Sequence, residues 1–319
     1  MTPGIAANLV ALLALGAWSL RRAWPLTEIV RLRNALLVQP AVKEDFLWTP
    51  ETVPCDFRRE RRPPSQDFIA IVGELDLQSL NDWQKALRIA GHLAEQAQDK
   101  GRLQDDLLAS YRGIRAGYGY CADFAKVFLA LAHAAGLFAR QWAFSFDGFG
   151  GHGHTIVEVF DRSRGKWLFL DPHNNFHVVD AAGGEPLSAL EFRDSLLGRR
   201  GPVHMQPNGP GRLGYIHEHK AYDYFRRGTA EWYLWWGNAV FSYYAHPLVR
   251  AAGRISRTLA HVAAVLVGVQ PRIRIYPAEE SRDAARRLFA LRRRLKVGAV
   301  AGLLLLISLL AQLRLGAQA

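Results

Sequence analysis

The sequence predicts an α+β protein with apolar helices at both ends. After Cys121, apolar residues recur at spacings of three and four up to Gly136, which is the period of a helix with one buried face. Two runs rich in β-branched and aromatic residues, 151–160 and 166–170, flank turn-forming residues and predict an antiparallel hairpin. Apolar runs near the two termini have the composition of membrane-associated helices.

The N-terminal segment, residues 1–22, is predicted to be a membrane anchor. Its mostly apolar run, residues 5–20, is short for the ~20 residues that span a bilayer. Arg21 and Arg22 follow the run, whereas a secretory signal carries its positive charge before the apolar part. A buried amphipathic helix is less favoured, because the apolar residues of this segment occur on all faces of the helix. We expect an uncleaved anchor with its N-terminus outside, or a helix lying flat on the membrane.

Residues 23–79 are expected to form an irregular connection. Several prolines and a basic run at residues 58–62 interrupt any regular period there. Within this stretch, Phe68 to Val72 has the composition of a short strand. Cys55 has no histidine or carboxylate pattern around it, and we interpret it as a spare thiol.

Two helices are predicted before the cysteine turn. Asn81 or Asp82 can cap a helix that runs through Ala97, with apolar residues at helical spacing. A second helix is expected from Gln104 to Ile114. The apolar faces of both helices are more typical of a core than of a functional site.

The glycine-rich turn before Cys121 places its sulfur at or near a helix N-terminus. Gly117 and Gly119 allow a sharp backbone turn into the helix. Unpaired N–H groups and the positive end of the helix dipole favour the thiolate, the form of cysteine that attacks carbonyl groups. Asp123 lies in the first helical turn, where its carboxylate interacts favourably with the same dipole. A carboxylate at this position more often stabilises the helix than takes part in catalysis. A buried structural cysteine is the alternative, since cysteines are common in cores.

The predicted hairpin carries a histidine and a carboxylate to the same end. His154 lies at the start of the first strand, and Asp171 follows the second strand, directly before Pro172. Antiparallel strands joined by the turn at 161–165 place these residues side by side. The set suits a nucleophile, a base and an orienting group: Cys121 attacks, His154 takes or shares its proton, and Asp171 fixes the imidazole tautomer.

The predicted catalytic core, residues 80–184, resembles the transglutaminase-like superfamily, whose core belongs to the papain-like cysteine protease group. The resemblance rests on three motifs in the right order and spacing: Gly119-x-Cys121-x-Asp123-Phe124-Ala125 followed by Gly136 and Arg140, His154 followed by Glu158-Val159, and Trp167 followed by Asp171-Pro172. It implies that the cysteine-bearing helix packs on an antiparallel sheet, with Cys121, His154 and Asp171 as the catalytic triad. Ile156 stands where the family often has an aromatic residue, which leaves the pocket shape open.

Further histidines near the triad are candidates for a substrate cleft or a metal site. The pair His152 and His154, and the pair His173 and His177, have residue types that zinc favours. No carboxylate or cysteine pair has metal-ligand spacing, so we expect no metal and no cofactor. Tyr120, His152 and His173 are expected instead to line the substrate cleft, because alternate residues of a strand share a face.

Residues 185–296 are predicted to be a helical, aromatic-rich and basic membrane-proximal region. Tryptophans and tyrosines crowd into residues 232–244, which suits either the membrane interface or a packed aromatic core or lid on the catalytic domain. Leu259 to Val269 is apolar but too short to cross a membrane, and it is a candidate for the interface.

Residues 297–316 are predicted to form a C-terminal transmembrane helix. Their apolar run is also short for a full span, so the segment could lie flat. An arginine-rich flank, residues 286–296, precedes it. By the positive-inside tendency, this flank and the catalytic domain face the cytoplasm, at an inner membrane.

The overall composition agrees with a reducing compartment and a lipid surface. The formal charge is +11 and many arginines lie beside apolar segments, which favours anionic membrane lipids as partners over nucleic acid. No RNA- or DNA-binding motif is present. The chain has two cysteines, and a disulfide between them would occupy the proposed nucleophile.

The sequence therefore predicts a thiol enzyme acting on a peptide or other amide-linked substrate through an acyl-enzyme on Cys121. Release to water would make it an amidase or peptidase, and release to an amine would make it an acyltransferase. Tyr111 and Gln104 are candidates for the oxyanion-hole partner of the Cys121 amide. The alternative is a catalytically silent binding module at the membrane surface. Intact Cys121, His154 and Asp171 favour the enzyme, since a silent copy has no chemical need for all three.

Overall fold

A computed structural model describes residues 3–23, 26–98, 100–101, 103 and 106–316. The helices are α1 (Pro3–Ala23), α2 (Leu26–Leu37), α3 (Gln66–Gly73), α4 (Asp82–Ala94), α5 (Leu107–Arg115), α6 (Cys121–Ala134), α7 (Ala189–Leu196), α8 (Glu218–Arg227), α9 (Val240–Ala245), α10 (Pro247–Gly253), α11 (Arg257–Leu266) and α12 (Arg282–Gly316). The strands are β1 (Val38–Gln39), β2 (Ala139–Ser145), β3 (Gly153–Asp161), β4 (Lys166–Leu170), β5 (Phe176–Asp180), β6 (Val203–Pro207), β7 (Trp232–Trp236) and β8 (Arg272–Ile275). Mixed helices and strands confirm the predicted class.

The main sheet has the strand order β1-β8-β7-β2-β3-β4. β1 and β8 run parallel, and the other neighbours are antiparallel. The predicted hairpin is the pair β3 and β4, with Asp161 opposite Lys166 next to the turn. β5 and β6 form a separate antiparallel ribbon, which a bridge between Asp171 and Phe176 connects to the end of β4.

Helix α6 buries its apolar face against the sheet. Phe124, Val127, Phe128 and Leu131 of α6 are buried in one apolar cluster with Val157 of β3. Their spacing is the pattern that predicted the helix, and burying each such side chain contributes roughly 1.5–3 kcal/mol. α3, α4 and α5 pack around the same cluster. The cysteine-bearing helix is therefore fixed on an antiparallel sheet, as the resemblance implied.

Side-chain caps define the starts of α4 and α5. Asn81 Oδ1 accepts the N–H of Gln84 at 2.9 Å, and Gln84 Oε1 accepts the N–H of Asn81 at 3.1 Å. Helix α4 begins where its cap was predicted and ends slightly earlier than expected. Asp106 Oδ1 accepts the N–H of Ala109 at 2.9 Å and caps α5. The predicted start of this helix at Gln104 lies outside the described residues.

The strand predicted from Phe68 to Val72 is wrong, because these residues belong to α3. Phe68 is buried in the core while Ile69 is 44% exposed, so the helix buries only one stripe. The period of so short an apolar run does not separate a helix from a strand. α2 is a second helix within the stretch expected to be irregular.

The aromatic cluster after residue 230 forms a central strand. Each residue of β7, from Trp232 to Trp236, is buried between β8 and β2. The ring of Trp232 stacks on Phe144 of β2 with centroids 5.7 Å apart. Of the two interpretations of these aromatic residues, the packed core is confirmed for β7. The strands β7 and β8 belong to the same sheet as β2–β4, although the sequence placed them outside the predicted core.

Arg140 and Glu158 form a buried ion pair across β2 and β3. They face each other in register, with Nε 2.7 Å from Oε2, and both side chains are at most 2% exposed. The guanidinium lies 4.0 Å over the ring of Trp167. Glu158 also accepts the indole N–H of Trp142 at 2.5 Å and the backbone N–H of Ala189 at 2.7 Å. A buried pair is tolerated when its remaining polar atoms are hydrogen-bonded in this way.

Helix α12 runs from the core into an exposed apolar segment. Leu288, near its start, is buried beside β8 and α2. Among the described residues, Arg282–Arg314 is the one helix whose length and composition suit crossing a membrane, and Gly4–Ala14 is a shorter apolar helix. α1 packs along α12, where the amide of Asn8 donates to Ser308 Oγ at 2.9 Å.

We expect Arg140→Met to destabilise the protein by about 3–5 kcal/mol, because it leaves the carboxylate of Glu158 unpaired in the core. Denaturant unfolding in detergent, followed by tryptophan fluorescence, measures this change. Arg286→Met is the control, because Arg286 pairs with Asp283 on an exposed face and should contribute less than ~1 kcal/mol. Equal losses in the two variants would contradict the stabilising role of the buried pair.

Candidate active site

Cys121 opens α6 after a turn that requires glycine. Gly117 and Gly119 have φ values of 92° and 103°, in the left-handed region that side chains disfavour. Tyr120 follows in an extended conformation, and Asp123 Oδ2 accepts its N–H at 3.1 Å. This capping contact confirms the structural role predicted for Asp123. The turn places Cys121, a half-buried residue, at the positive end of the helix.

His154, the second residue of β3, is buried beside Cys121. Its ring centroid lies 6.0 Å from that of Phe144 and 5.6 Å from that of Phe225, so packing fixes the ring plane. The Nε2 atom is 2.6 Å from Asp171 Oδ2. Cys121 and His154 line the same cavity, and the charge and hydrogen bonding of the imidazole lower the pKa of the thiol. The structure thus brings the three residues of the predicted triad into one chain of contacts.

Asp171 is held by donors on both of its oxygens. Oδ1 accepts the backbone N–H of His173 at 3.1 Å and of Asn174 at 3.0 Å, while Oδ2 accepts the Asn174 side-chain amide at 2.7 Å. Burial favours the neutral acid, but the charge and hydrogen bond of His154 and the surrounding donors outweigh it and lower the pKa of Asp171. A charged, immobile carboxylate therefore faces the imidazole.

The thiol and imidazole favour the ion-pair form. Burial alone would raise the pKa of Cys121, yet the charge and hydrogen bond of His154 and the N–H of Thr155 lower it below its ordinary value. Burial alone would likewise lower the pKa of His154, but Asp171 and Cys121 raise it to about 10. A thiolate beside an imidazolium is the nucleophilic form of this pair of groups.

Residues 70–172 match the family model of the transglutaminase-like superfamily. This segment belongs to that superfamily. It covers about a third of the 319-residue chain and includes Cys121, His154 and Asp171. The superfamily generally includes cysteine-dependent enzymes, and some of its members are inactive. No curated protein and no solved structure matches the chain.

The residues predicted to line the cleft of this transglutaminase-like core lie in different places. Tyr120 and His152 line a large cavity beside Cys121. The Nδ1 atom of His152 lies 2.9 Å from Asp147 Oδ2, so a carboxylate orients its ring. His173 is not in the lining of this cavity and packs against other rings, with its centroid 5.1 Å from that of Phe124 and 6.0 Å from that of His154.

The start of α6 offers backbone donors for a candidate oxyanion site. The N–H groups of Cys121 and Ala122 open the helix and have no carbonyl partner within it. Tyr111 is one candidate for a further donor. Its hydroxyl oxygen lies 2.8 Å from Nε2 of His92, between α4 and α5. Gln104, the other candidate, lies outside the described residues.

The histidine pairs do not converge on a metal centre. Among the residues that the structure describes, no three His, Cys, Asp or Glu side chains are grouped as metal ligands. His177 packs edge-on against Trp83 and lies 3.2 Å from Asn208 Oδ1. Burial lowers the pKa of His177, so this imidazole is a neutral part of the core.

Sequence reasoning missed three residues that contact the site. The side-chain amide of Asn174 donates to the carboxylate of Asp171. An aspartate at the start of a turn often bonds to residues shortly after it, and this pattern could have predicted the contact. Tyr224 and Phe225 of α8 cover the ring of His154, and Tyr224 donates its hydroxyl to the carbonyl of Gly153 at 2.9 Å. No local pattern connects this distant helix with the histidine.

We expect iodoacetamide to alkylate Cys121 faster than the exposed Cys55 near neutral pH. Because the pKa of Cys121 is lowered, its thiolate persists at a pH at which an ordinary thiol is already protonated. The raised pKa of His154 keeps the imidazole charged up to about pH 10. Peptide mass spectrometry of a pH series measures both rates. His154→Ala should slow Cys121 to the rate of Cys55 or below. Equal rates for the two thiols in the wild-type protein would exclude an activated cysteine.

Proposed function

We propose that the chain is a membrane-anchored thiol enzyme that acts on an amide through an acyl-enzyme on Cys121. One observation carries this proposal: Cys121 lies in one cavity with His154, whose imidazole is 2.6 Å from the buried carboxylate of Asp171 and lowers the pKa of the thiol. A structural cysteine has no need of such partners. The match to a superfamily that generally contains cysteine-dependent enzymes supports the same conclusion.

In the first half of the reaction, the Cys121 thiolate attacks the carbonyl carbon of the substrate amide. The N–H groups of Cys121 and Ala122 stabilise the oxyanion that forms. His154 then gives its proton to the departing amine nitrogen as the C–N bond breaks. Asp171 keeps the imidazole oriented and stabilises its charge throughout this step.

In the second half, an acceptor releases the acyl group from sulfur. His154 takes a proton from the incoming water or amine, which attacks the thioester and restores the thiolate. Water gives amidase or peptidase activity, and an amine gives acyl transfer. The same residues serve both outcomes, because the acceptor that reaches the thioester decides between them.

We place the enzyme at the cytoplasmic face of an inner membrane. The apolar part of α12 is exposed, and α1 packs beside it. Basic residues precede the apolar part of α12 within the same helix: Arg286, Arg287, Arg292, Arg293, Arg294 and Lys296. Such a flank favours the cytoplasmic side and attracts anionic lipids. Membrane lipids and a peptide or other amide-bearing molecule are the expected partners, and nucleic acid is not.

Incubation with N-acyl p-nitroanilides should add the acyl mass to the peptide that contains Cys121 and release nitroaniline. Intact-protein and peptide mass spectrometry measure the adduct. Cys121→Ser should abolish it, and His154→Ala should slow it by about 10²–10⁴-fold because the proton donor is lost. Cys55→Ser, which removes the exposed thiol, should leave the rate unchanged. Folded wild-type protein that forms no adduct with any acyl group would favour the binding module.

The exposed Cys55 reports the orientation of the domain. In a Cys121→Ser background, a membrane-impermeant maleimide should label Cys55 only after spheroplasts of the producing bacterium are permeabilised. The physical reason is that the arginine-rich flank of α12 keeps the domain in the cytoplasm. Immediate labelling of intact spheroplasts would place the domain on the outer side. Gel shift of the labelled protein measures the result.

A further inference from the structure

A cavity of about 1060 Å³ opens beside Cys121 and extends far from it. Cys121, His152 and His154 line one part, and the remaining walls come from β2, α2, β7, α9 and α11. This volume slightly exceeds the range of about 300–1,000 Å³ for pockets that hold drug-sized ligands. Most of the space is therefore available to a part of the substrate that does not react.

The cavity walls are mainly apolar, although Arg33, Gln141, His261 and Gln270 also line them. α2 contributes Ile29 and Leu36, β7 contributes Tyr233 and Trp235, and α11 contributes Val262. A peptide in this space would lose hydrogen bonds between its backbone and water, and the few polar side chains of the lining would replace only part of them. A hydrocarbon chain has no such groups and gains free energy from burial.

The cavity also lies beside the helices that we assign to the membrane. α2, which forms one wall, packs against both α1 and α12. Leu266 of α11, which lines the cavity, is 80% exposed, and Ile255 just before this helix is 76% exposed. Exposed apolar side chains in this segment, next to a mainly apolar cavity, fit contact with another apolar phase. The cavity and the terminal helices thus share one apolar side of the protein.

We propose that this cavity holds the long alkyl chain of a membrane amphiphile whose amide reacts at Cys121. This inference rests on the proposed function and names the substrate class: an amide joined to a single long alkyl chain, drawn from the lipid phase. While the chain stays buried, the S–C bond to Cys121 forms and the C–N bond breaks, with the proton of His154 passing to the amine. An apolar peptide is the competing occupant.

Binding to the Cys121→Ser protein tests the chain site without any turnover. The protein is placed in phosphatidylcholine nanodiscs with the fluorescent probe 11-(dansylamino)undecanoic acid. N-butyl-, N-octyl- and N-dodecylacetamide then compete for the site, with their free concentrations corrected by nanodiscs that lack protein. We expect affinity to rise with chain length by up to about fourfold per methylene. An apolar hexapeptide should not compete.

Two tryptophan variants on the same helix provide the matched control. Val262 lines the cavity and is 49% exposed, whereas Leu259 lies outside the lining and is 44% exposed. Val262→Trp should weaken binding of the dodecyl compound roughly tenfold, because the indole displaces about two methylenes of the chain. Leu259→Trp should leave it unchanged.

Equal effects of the two variants, no dependence on chain length, or equal competition by the hexapeptide would overturn the alkyl-chain assignment. None of these results bears on the thiol chemistry. Conversely, chain-length-dependent binding in a protein whose Cys121 never forms an acyl-enzyme would keep the chain site and refute the proposed reaction.

Discussion

The buried ion pair between Arg140 and Glu158 joins β2 and β3 in the register on which the candidate site depends. A slip of one residue would turn every side chain of β3 to the other face of the sheet. With the register held, His154 lies opposite Phe144 and meets the start of α6. The ion pair favours the register that brings the imidazole beside Cys121, although Glu158 lies four residues along β3 from His154.

The sequence alone was sufficient to predict the parts of the site that belong to local elements. The glycines before Cys121 predict a helix that starts at the sulfur, and the hairpin pattern predicts His154 and Asp171 at one end of two strands. The structure brings these three side chains together, while their catalytic role stays a prediction. Helix caps such as Asn81 were predictable for the same reason, because their signal lies within a few residues.

Features that arise from long-range packing were not predictable from these patterns. β7 is as apolar as a membrane-interface segment, and only its pairing between β8 and β2 makes it a core strand. Tyr224 and Phe225 reach His154 from a helix far along the chain, so no spacing rule connects them. For Phe68 the failure has another cause, since a short apolar run suits a helix and a strand equally.

The continuity of α12 has a mechanical consequence. One helix of about 50 Å begins inside the packed domain and ends in the apolar segment, with no linker between the two. A domain on a flexible tether would sample many heights and tilts above a bilayer. This domain instead continues directly into one rigid helix, and α1 packs along that helix and hydrogen-bonds with it. In the membrane arrangement proposed above, the sulfur would be kept at one distance from the lipid headgroups, and the bond that reacts would have to reach that depth.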